Sequence, residues 1–433
     1  MMTPEGQLAK TKIAAELPGQ MRLLGRAARQ AAEFLGRAST DSKNAALRAA
    51  AQALRRSVGD VLSANEIDLA NGRKRELSAA MLDRLALTPE RVEGIAVGLD
   101  GIADLADPVG DVTAEWQRPN GLMIQRVRVP LGVIGIIYES RPNVTADAGG
   151  LCLKSGNAVI LRGGSEAVES NTAIHACLTQ GLTVAGLPET AIQRISTQDR
   201  EAVGILLRDM GEFVDVVVPR GGKNLIARVQ ADARVPVMGH LEGLCHTYIH
   251  RGADVEMACE VSVNAKMRRT GICGATETIL IDEAVAATHL GPVVASLLDA
   301  GCEVRGDTRT QAADTRVKPA AETDWGQEFL DAIVAVRVVA GLDQALDFIR
   351  RYGSGHTDAI ITADAAAAER FLNELDSAIV MHNASTQYAD GGEFGMGAEI
   401  GIATGRIHAR GPVGTEQLTS YKYVVRGTGQ TRP

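Results

Sequence analysis

Val133-Ile134-Gly135-Ile136-Ile137-Tyr138 is a short apolar run, rich in branched side chains, of the kind buried in a parallel β-sheet. Similar runs occupy residues 158–161, 213–218 and 235–238. Segments with helical spacing, such as residues 169–180, lie between them. This alternation predicts a doubly wound α/β domain, whose ligands bind outside the carboxyl ends of the strands.

A second alternation of strands and helices begins near residue 245 and extends to about residue 381. It predicts a second α/β domain. The predicted strands are residues 277–281, 332–339, 359–362 and 378–381. The polar stretch 305–324 is expected to be a surface excursion from this domain.

The segments outside these domains are predicted to be helices and edge strands. Apolar residues between positions 23 and 35 recur at helical spacing, and Ser39 has N-cap chemistry for a second helix. Residues 122–129 alternate as a half-exposed strand does, and residues 419–426 form a predicted terminal strand without a specified partner.

Composition bounds the function classes. The net charge of −8 and the 3% of aromatic residues argue against a nucleic-acid binder. The longest apolar run, residues 129–138, is far shorter than the ~18 residues that suggest a membrane span. The six cysteines form no CxxC pair, which favours a reducing cytoplasm, and the eight histidines show no metal-ligand spacing, so no metal site is expected.

Cys273 is the candidate nucleophile because of its neighbours. It lies in Arg268-Arg269-Thr270-Gly271-Ile272-Cys273-Gly274, where two cations favour the thiolate and glycines leave the backbone open to a substrate. The alternative is a buried structural cysteine, since cysteine is among the most buried residue types.

Two glycine turns are candidate phosphate sites. Leu161-Arg162-Gly163-Gly164-Ser165 and Pro219-Arg220-Gly221-Gly222-Lys223 each follow a predicted strand and open a helix. Neither matches GxGxxG, and glycine is also the default residue of ordinary turns. Asn143 likewise follows a strand. Its side-chain amide is either a donor to an oxyanion or a group that only stabilises the turn.

Several motifs, taken in order, resemble the aldehyde dehydrogenase superfamily and, within it, the γ-glutamyl phosphate reductase family. For the superfamily they are Arg141-Pro142-Asn143, residues 154–157 leading into Arg162, Arg269 before Cys273, and Glu328. For the narrower family they are residues 353–360 (GSGHTDAI), 383–386 (NAST) and 390–395 (DGGEFG), running on through residues 405–412 to Tyr421-Lys422-Tyr423.

The resemblance implies an aldehyde dehydrogenase-like α/β fold of two doubly wound domains plus a small β extension for oligomerisation. The implied ranges are 1–121 and 145–244 for the NADPH-binding domain, 245–390 for the catalytic domain, and 122–144 and 411–433 for the oligomerisation strands.

The resemblance also implies a reaction: NADPH-dependent reduction of L-glutamate 5-phosphate to L-glutamate 5-semialdehyde and phosphate, in proline biosynthesis. Cys273 is then the nucleophile and Asn143 an oxyanion donor, with Arg269, Asn383 and Gly395 on the substrate side. The implied coenzyme residues are Arg162, Gly163, Ser165, Arg220, Gly221 and Glu328. Ser165 stands where NAD-preferring relatives often have Glu, so Arg162 is expected to have no neighbouring acid, and NADPH is favoured over NADH.

Some positions depart from the family pattern. Family members commonly have Pro and Asn where this chain has Thr270 and Gly274. The base glutamate of aldehyde-oxidising relatives has no clear counterpart, although Glu242 is near its place. Because thioester hydrolysis needs such a base and phosphorolysis does not, this favours acyl phosphate chemistry. A hydrolytic NAD(P)-dependent semialdehyde dehydrogenase and a non-catalytic scaffold remain the alternatives. A homo-oligomer and a glutamate kinase partner are expected.

Overall fold

The computed structural model describes residues 4–432, with the side chains of residues 4–15, 79 and 80 left out of the description. Residues 1–3 and 433, which the predicted domain ranges include, lie outside it. The chain divides into two compact units. Unit 1 comprises Met1–Gly239, Met396–Gly401 and Val413–Pro433, and unit 2 comprises His240–Gly395 and Ile402–Pro412.

Unit 1 contains nine helices and seven strands among its described residues. The helices are α1 (Pro4–Leu35), α2 (Thr40–Arg56), α3 (Val58–Lys74), α4 (Ala79–Leu85), α5 (Pro89–Asp104), α6 (Asn143–Lys154), α7 (Val168–Val184), α8 (Glu201–Arg208) and α9 (Lys223–Asp232). The strands are β1 (Val112–Gln117), β2 (Met123–Pro130), β3 (Val133–Tyr138), β4 (Ala158–Gly163), β5 (Ile192–Arg194), β6 (Val216–Arg220) and, at the end of the chain, β16 (Thr419–Arg426).

The strands of unit 1 form two sheets. The parallel sheet has the order β5-β4-β3-β6, and every residue of β3 is buried. The other sheet is antiparallel, in the order β1-β2-β16, with β16 paired to β2 along its whole length. The sequence prediction had placed residues 122–144 in the oligomerisation strands. The structure separates these residues: β3 belongs to the parallel sheet, whereas β2 pairs with β1 and β16 in the antiparallel one.

Unit 2 contains a parallel sheet of seven strands in the order β10-β9-β11-β8-β7-β12-β13. Its strands are β7 (Cys245–Ile249), β8 (Thr276–Asp282), β9 (Glu303–Gly306), β10 (Lys318–Pro319), β11 (Ile333–Val339), β12 (Thr357–Ile361) and β13 (Ile379–His382), followed by the antiparallel pair β14 (Ile402–Ala403) and β15 (Gly411–Pro412). Its helices are α10 (Val255–Met267), α11 (Gly291–Asp299), α12 (Thr308–Ala313), α13 (Leu342–Tyr352) and α14 (Ala365–Glu374).

The core of unit 2 has two parts, one on each face of the sheet. One face packs Leu280 and Ile360 against Leu346 of α13 and Phe371 of α14. The other packs sheet residues such as Ile279 against α10 and α11. Helices on both faces of a parallel sheet confirm the predicted doubly wound α/β class.

Two local predictions for the strands are wrong. Residues 235–238 make an isolated bridge through Val237 rather than a strand, because Pro236 has no N–H to donate to a ladder. Residues 305–324 are not an excursion from the domain, since they contribute the end of β9, helix α12 and strand β10 to the sheet edge.

None of the described helices is both long and apolar enough to cross a lipid bilayer.

Candidate active site around Cys273

Cys273 lies in the turn that joins α10 to β8. Ala275 N–H donates to the carbonyl of Ile272 at 3.1 Å, which closes the turn. The Cys273 carbonyl accepts a hydrogen bond from the thiol of Cys245, on β7, at 3.1 Å. A Cβ added at Gly243 would lie 2.2 Å from the same carbonyl oxygen. The backbone of Cys273 is therefore held between neighbouring segments, and only a glycine fits at position 243.

A second support comes from Gln387, which the sequence analysis did not identify. Its amide donates to the carbonyl of Ala265 at 2.9 Å and to that of Arg269 at 3.1 Å. The Gln387 side chain is buried. Gln387 thus links the end of α10 to the loop that leads to Cys273. The conformation of that loop is therefore held by Gln387 as well as by the loop's own turn.

The exposure of the cysteines separates Cys273 from most of the others. Cys152, Cys177, Cys245 and Cys302 are buried, whereas Cys273 and Cys259 are partly exposed. Burial raises the pKa of Cys302 to about 12 and that of Cys245 well above its usual value. A buried thiol with a raised pKa is a poor nucleophile. Cys273 and Cys259 are therefore the two accessible thiols, and Cys259 lies within helix α10.

Arg268 and Arg269 are exposed. Within residues 16–432, apart from positions 79 and 80, neither guanidinium forms an ion pair. No structural ion pair therefore engages Arg269 within those residues. Arg269 presents its charge to solvent four residues before Cys273, where an anionic group can meet it.

Glu328 approaches the Cys273 turn through Gly243. Its carboxylate accepts the Gly243 N–H at 2.8 Å, and Gly243 packs on the Cys273 backbone. The neighbouring Leu244 N–H donates to the Ser354 hydroxyl at 2.9 Å. Glu328 is therefore linked to the Cys273 turn through Gly243, and its coenzyme role stays a prediction.

Two histidines gather at Cys273, which no spacing in the sequence indicates. One ligand atom from each of His240, Cys273 and His356 lies within 4.8 Å of the others. The His356 ring is fully buried, and its Nδ1 lies 2.9 Å from the Thr357 hydroxyl.

The predicted substrate residues Asn383 and Gly395 have different settings. Asn383 accepts the Thr362 N–H and donates to the Thr362 carbonyl, both at 2.9 Å. Its φ of 54° lies in the left-handed region. The side chain therefore hydrogen-bonds to the backbone directly after β12, and the substrate role of Asn383 stays a prediction. Gly395 has φ 73° and is exposed, as a loop residue that approaches a ligand can be.

In unit 1, Asn143 is the first residue of α6 and is exposed. Its amide donates to Asp147 one turn later, at 2.8 Å. Burial raises the pKa of Asp147 to about 6, against the opposing effects of this hydrogen bond and of Arg220. The Asn143 amide is therefore oriented by a carboxyl group that loses its proton near pH 6.

The first glycine turn, after β4, holds a carboxylate. Glu166 accepts the Ser140 N–H and lies where a Cβ of Gly164 would be. Burial lowers the pKa of Arg162, and Glu166 is the charge that most opposes this. The expectation that Arg162 has no neighbouring acid is therefore wrong: the acid is at position 166, not 165.

Ser165 itself is exposed and has a cation beside it. A guanidinium nitrogen of Arg75, the residue after α3, lies 3.4 Å from both the hydroxyl and the carbonyl of Ser165. Sequence reasoning missed Arg75, which lies ninety residues away. A hydroxyl and a guanidinium side by side are the groups that hold a phosphate.

A carboxylate also lies against the second glycine turn, after β6. The Gly222 N–H donates to Glu139 at 3.1 Å, and a Cβ at Gly221 would lie 2.5 Å from the same carboxylate. Arg220 ends the strand and is partly exposed. The roles are exchanged between the two turns: beside the first, Glu166 accepts an N–H of the loop after β3, whereas in the second a turn N–H donates to Glu139 of that same loop.

The family model of the aldehyde dehydrogenase family matches residues 6–319. A γ-glutamyl phosphate reductase of Rhodospirillum rubrum is 64% identical over 418 residues, 96% of this chain and 98% of that protein. The crystal structure of a γ-glutamyl phosphate reductase from Thermotoga maritima superposes with a TM-score of 0.93 at 42% identity, covering 95% of this chain and 100% of that one. An acetylating aldehyde dehydrogenase of Geobacillus thermoglucosidasius shares the fold alone, with a TM-score of 0.67 at 17% identity over 97% of this chain and 99% of that one.

The two parallel-sheet units and the cysteine turn therefore define a member of the aldehyde dehydrogenase family, whose enzymes use a nicotinamide coenzyme. Within that family, the chain belongs with the γ-glutamyl phosphate reductases.

Proposed function

We propose that this enzyme reduces L-glutamate 5-phosphate to L-glutamate 5-semialdehyde with NADPH, releasing phosphate, as the second step of proline biosynthesis from glutamate. The observation that carries the proposal is the 64% identity to a γ-glutamyl phosphate reductase over 96% of the chain. The reaction requires an accessible thiol nucleophile, and the partly exposed Cys273, whose carbonyl is held by the Cys245 thiol, meets that requirement.

The reaction proceeds through covalent intermediates on Cys273. The thiolate attacks the acyl carbon, a sulfur–carbon bond forms, and the bond from carbon to the phosphate oxygen breaks. The product is a γ-glutamyl thioester and free phosphate. Bound NADPH supplies the hydride that reduces this thioester. The resulting thiohemiacetal then releases the aldehyde and regenerates the thiol.

Each addition to the acyl carbon places negative charge on its oxygen. The backbone N–H of Cys273 and the amide of Asn143 are the proposed donors to that oxygen. The turn supports the first, because its backbone is fixed by Cys245 and by contact with Gly243. Losing one such donor typically costs about 10²–10³ in rate.

Arg269 is proposed to hold the phosphate group. Its guanidinium is exposed, and it forms no ion pair with the described side chains, so its charge is available for charge-assisted hydrogen bonds. Gly395 is proposed to line the substrate side through its exposed loop. Asn383 is proposed only to shape that side, since Thr362 engages its amide.

The coenzyme is proposed to bind along the two glycine turns of unit 1. Arg162, Gly163 and Ser165 form one contact region, Arg220 and Gly221 the other, and Glu328 holds the nicotinamide ribose. The preference for NADPH is supported by Arg75 beside Ser165, since a 2′-phosphate needs donors and a cation. Position 165, where an NADH-binding site would have an acidic residue, is occupied by a serine in this chain.

Two further proposals concern partners. Strands β2 and β16 are proposed to take part in a homo-oligomer, because Tyr421, Tyr423 and Val425 leave apolar surface exposed on their sheet. A glutamate kinase is proposed as a functional partner, because acyl phosphates are short-lived in water.

The deciding experiment follows the reverse reaction. NADP⁺ reduction is measured with pyrroline-5-carboxylate, the cyclised semialdehyde, with and without inorganic phosphate, for the wild type and Cys273→Ala. Phosphate-dependent activity that is absent from the variant supports the proposal. Activity without phosphate indicates a hydrolytic dehydrogenase, and inactivity of a folded protein that binds NADPH indicates a non-catalytic scaffold.

A further inference from the structure

The cluster of His240, Cys273 and His356 has the composition of a soft-metal site. Imidazole nitrogen and thiolate sulfur are the ligands that Zn²⁺ prefers. The three ligand atoms lie within 4.8 Å of one another. The bond lengths of a tetrahedral zinc site place such atoms roughly 3.3–3.7 Å apart, so side-chain rotations of about 1 Å would close the set.

The outer hydrogen bond of His240 suits it to this role. Its Nδ1 lies 2.6 Å from the carbonyl oxygen of Ile402. A carbonyl only accepts, so Nδ1 carries the proton, and in the neutral ring Nε2 has the lone pair. Histidines that ligate metals commonly donate their other N–H to such a carbonyl.

His356 supplies the second, independent observation. Its side chain is fully buried, and its Nε2 has no hydrogen-bond partner among the described residues. Its Nδ1 is 2.9 Å from the Thr357 hydroxyl, which can accept a hydrogen bond from the ring N–H as readily as it can donate one. A buried polar nitrogen without a partner is costly, and a metal ion at this position would satisfy it.

We propose that His240, Cys273 and His356 form a binding site for one Zn²⁺ ion or a similar soft divalent cation, with water in the fourth position. Binding joins the metal to Sγ of Cys273 and releases the thiol proton. The ion then occupies the electron pair with which the sulfur attacks the substrate. Zinc is therefore an inhibitor that competes with acylation. This inhibition rests on the proposed function, whereas the binding does not.

Binding is tested first, on the full chain without substrate, by zinc titration in competition with a chromogenic chelator. The wild type is expected to bind one ion per chain, and Cys273→Ser to lose that ion. His240→Asn and His356→Asn each keep a side-chain N–H for the outer partner and should weaken affinity at least about tenfold, the lower end for loss of a supporting bond at a metal site. Cys259→Ser is the matched control, because Cys259 is the other partly exposed cysteine, and it should bind like the wild type.

Unchanged affinity in both histidine variants would show that a thiol alone takes the metal and would overturn the site. Full stoichiometry in Cys273→Ser would place the ion elsewhere and would also overturn it. A second measurement follows the reductase reaction with added zinc, and a chelator should reverse the inhibition. In the control Cys259→Ser, the zinc concentration that gives half-inhibition should stay within about twofold of the wild-type value. If binding holds but the enzyme is inactive in every assay, the proposed function fails and the metal site stands.

Discussion

Nζ of Lys266 lies 2.5 Å from Oε2 of Glu277, and this ion pair joins the two ends of the segment that carries Cys273. Lys266 is in the last turn of α10, and Glu277 is on β8. Both side chains are buried. Burial raises the pKa of Glu277 to about 7 even though Lys266 opposes this. The pair thus ties together the two ends of the loop that carries Cys273, at the cost of keeping two ionisable groups out of water.

Breaking this pair from one side should destabilise the protein strongly. Lys266→Met leaves the Glu277 carboxyl buried without its partner, and a lone member of a buried pair costs about 3–5 kcal/mol. The double variant Lys266→Met/Glu277→Leu removes both groups and should recover most of that loss. Urea unfolding of the two variants and the wild type gives the comparison.

The matched control is the pair Lys318–Glu303, with Nζ 2.6 Å from the carboxylate and with Lys318 exposed. Lys318→Met should change the free energy of unfolding by no more than about 1 kcal/mol, as is usual for surface pairs. Equal losses at Lys266 and Lys318 would mean that the buried pair has no special role.

Gly243→Ala should impair catalysis. The new methyl group would lie 2.2 Å from the Cys273 carbonyl oxygen, so the nucleophile's backbone must move. A displacement of about 1 Å at a reacting group can cost about 10²-fold in rate, and we expect a loss of that order in kcat. Gly291→Ala is the control, since nothing lies within 4 Å of its added Cβ. Steady-state kinetics that agree for the two variants would contradict the prediction.

Asp147 should make folding stability depend on pH. Its pKa is raised to about 6 in the folded protein, against about 3.9 in an unfolded chain. The folded state therefore keeps this proton to a higher pH than the unfolded chain does. The contribution of Asp147 to the free energy of unfolding is complete below about pH 4 and is lost as the pH rises through about 6. Relative to Asp147→Asn, the wild type should lose at most about 3 kcal/mol across that window. Unfolding is measured for both proteins at pH 4, 5, 6 and 7. A difference in their free energy of unfolding that stays constant over this range would argue against a raised pKa.

Arg75→Ala should weaken NADPH binding selectively. The guanidinium lies 3.4 Å from the Ser165 hydroxyl, and an exposed charge-assisted hydrogen bond to a phosphate is worth about 1.5 kcal/mol. The KM for NADPH should rise about tenfold, while the KM for NADH, which has no 2′-phosphate, changes little. Arg73→Ala, on the last turn of the same helix, should leave both constants near their wild-type values. An equal rise for both coenzymes would place Arg75 away from the 2′-phosphate.

The sequence predicted the strands whose apolar side chains are buried on both faces, such as β3 and β8. It did not reveal β7 as a strand, because its core includes polar side chains that are satisfied only in the folded protein. His246 of β7 lies 2.8 Å from Asp358 of β12, and Thr247 lies 2.8 Å from Thr276 of β8. Those partners are distant in the chain, so local pattern gives no sign of them.

The candidate nucleophile was apparent from its arginines and glycines, but its surroundings were not. Gly243, Cys245 and Gln387 support the Cys273 turn from other segments, and Gln387 reaches Ala265 across 122 positions. A parallel sheet brings such residues to one edge through its crossovers. The local sequence of each is ordinary, so their roles appear only once the strand order is known.

Strand β16 is synthesised long after β2, the strand with which it pairs. Its partner β2 is complete early in synthesis, yet Thr419, which bonds to Arg128 of β2, is 291 positions further along the chain. At about 5–20 residues per second, roughly 15–60 s pass before that edge is covered. During this time β2 has β1 on one side and unpaired backbone groups on the other, a template for pairing with a neighbouring nascent chain. Arg126 and Arg128 on β2 are charged residues of the kind that disfavour such edge pairing before β16 is synthesised.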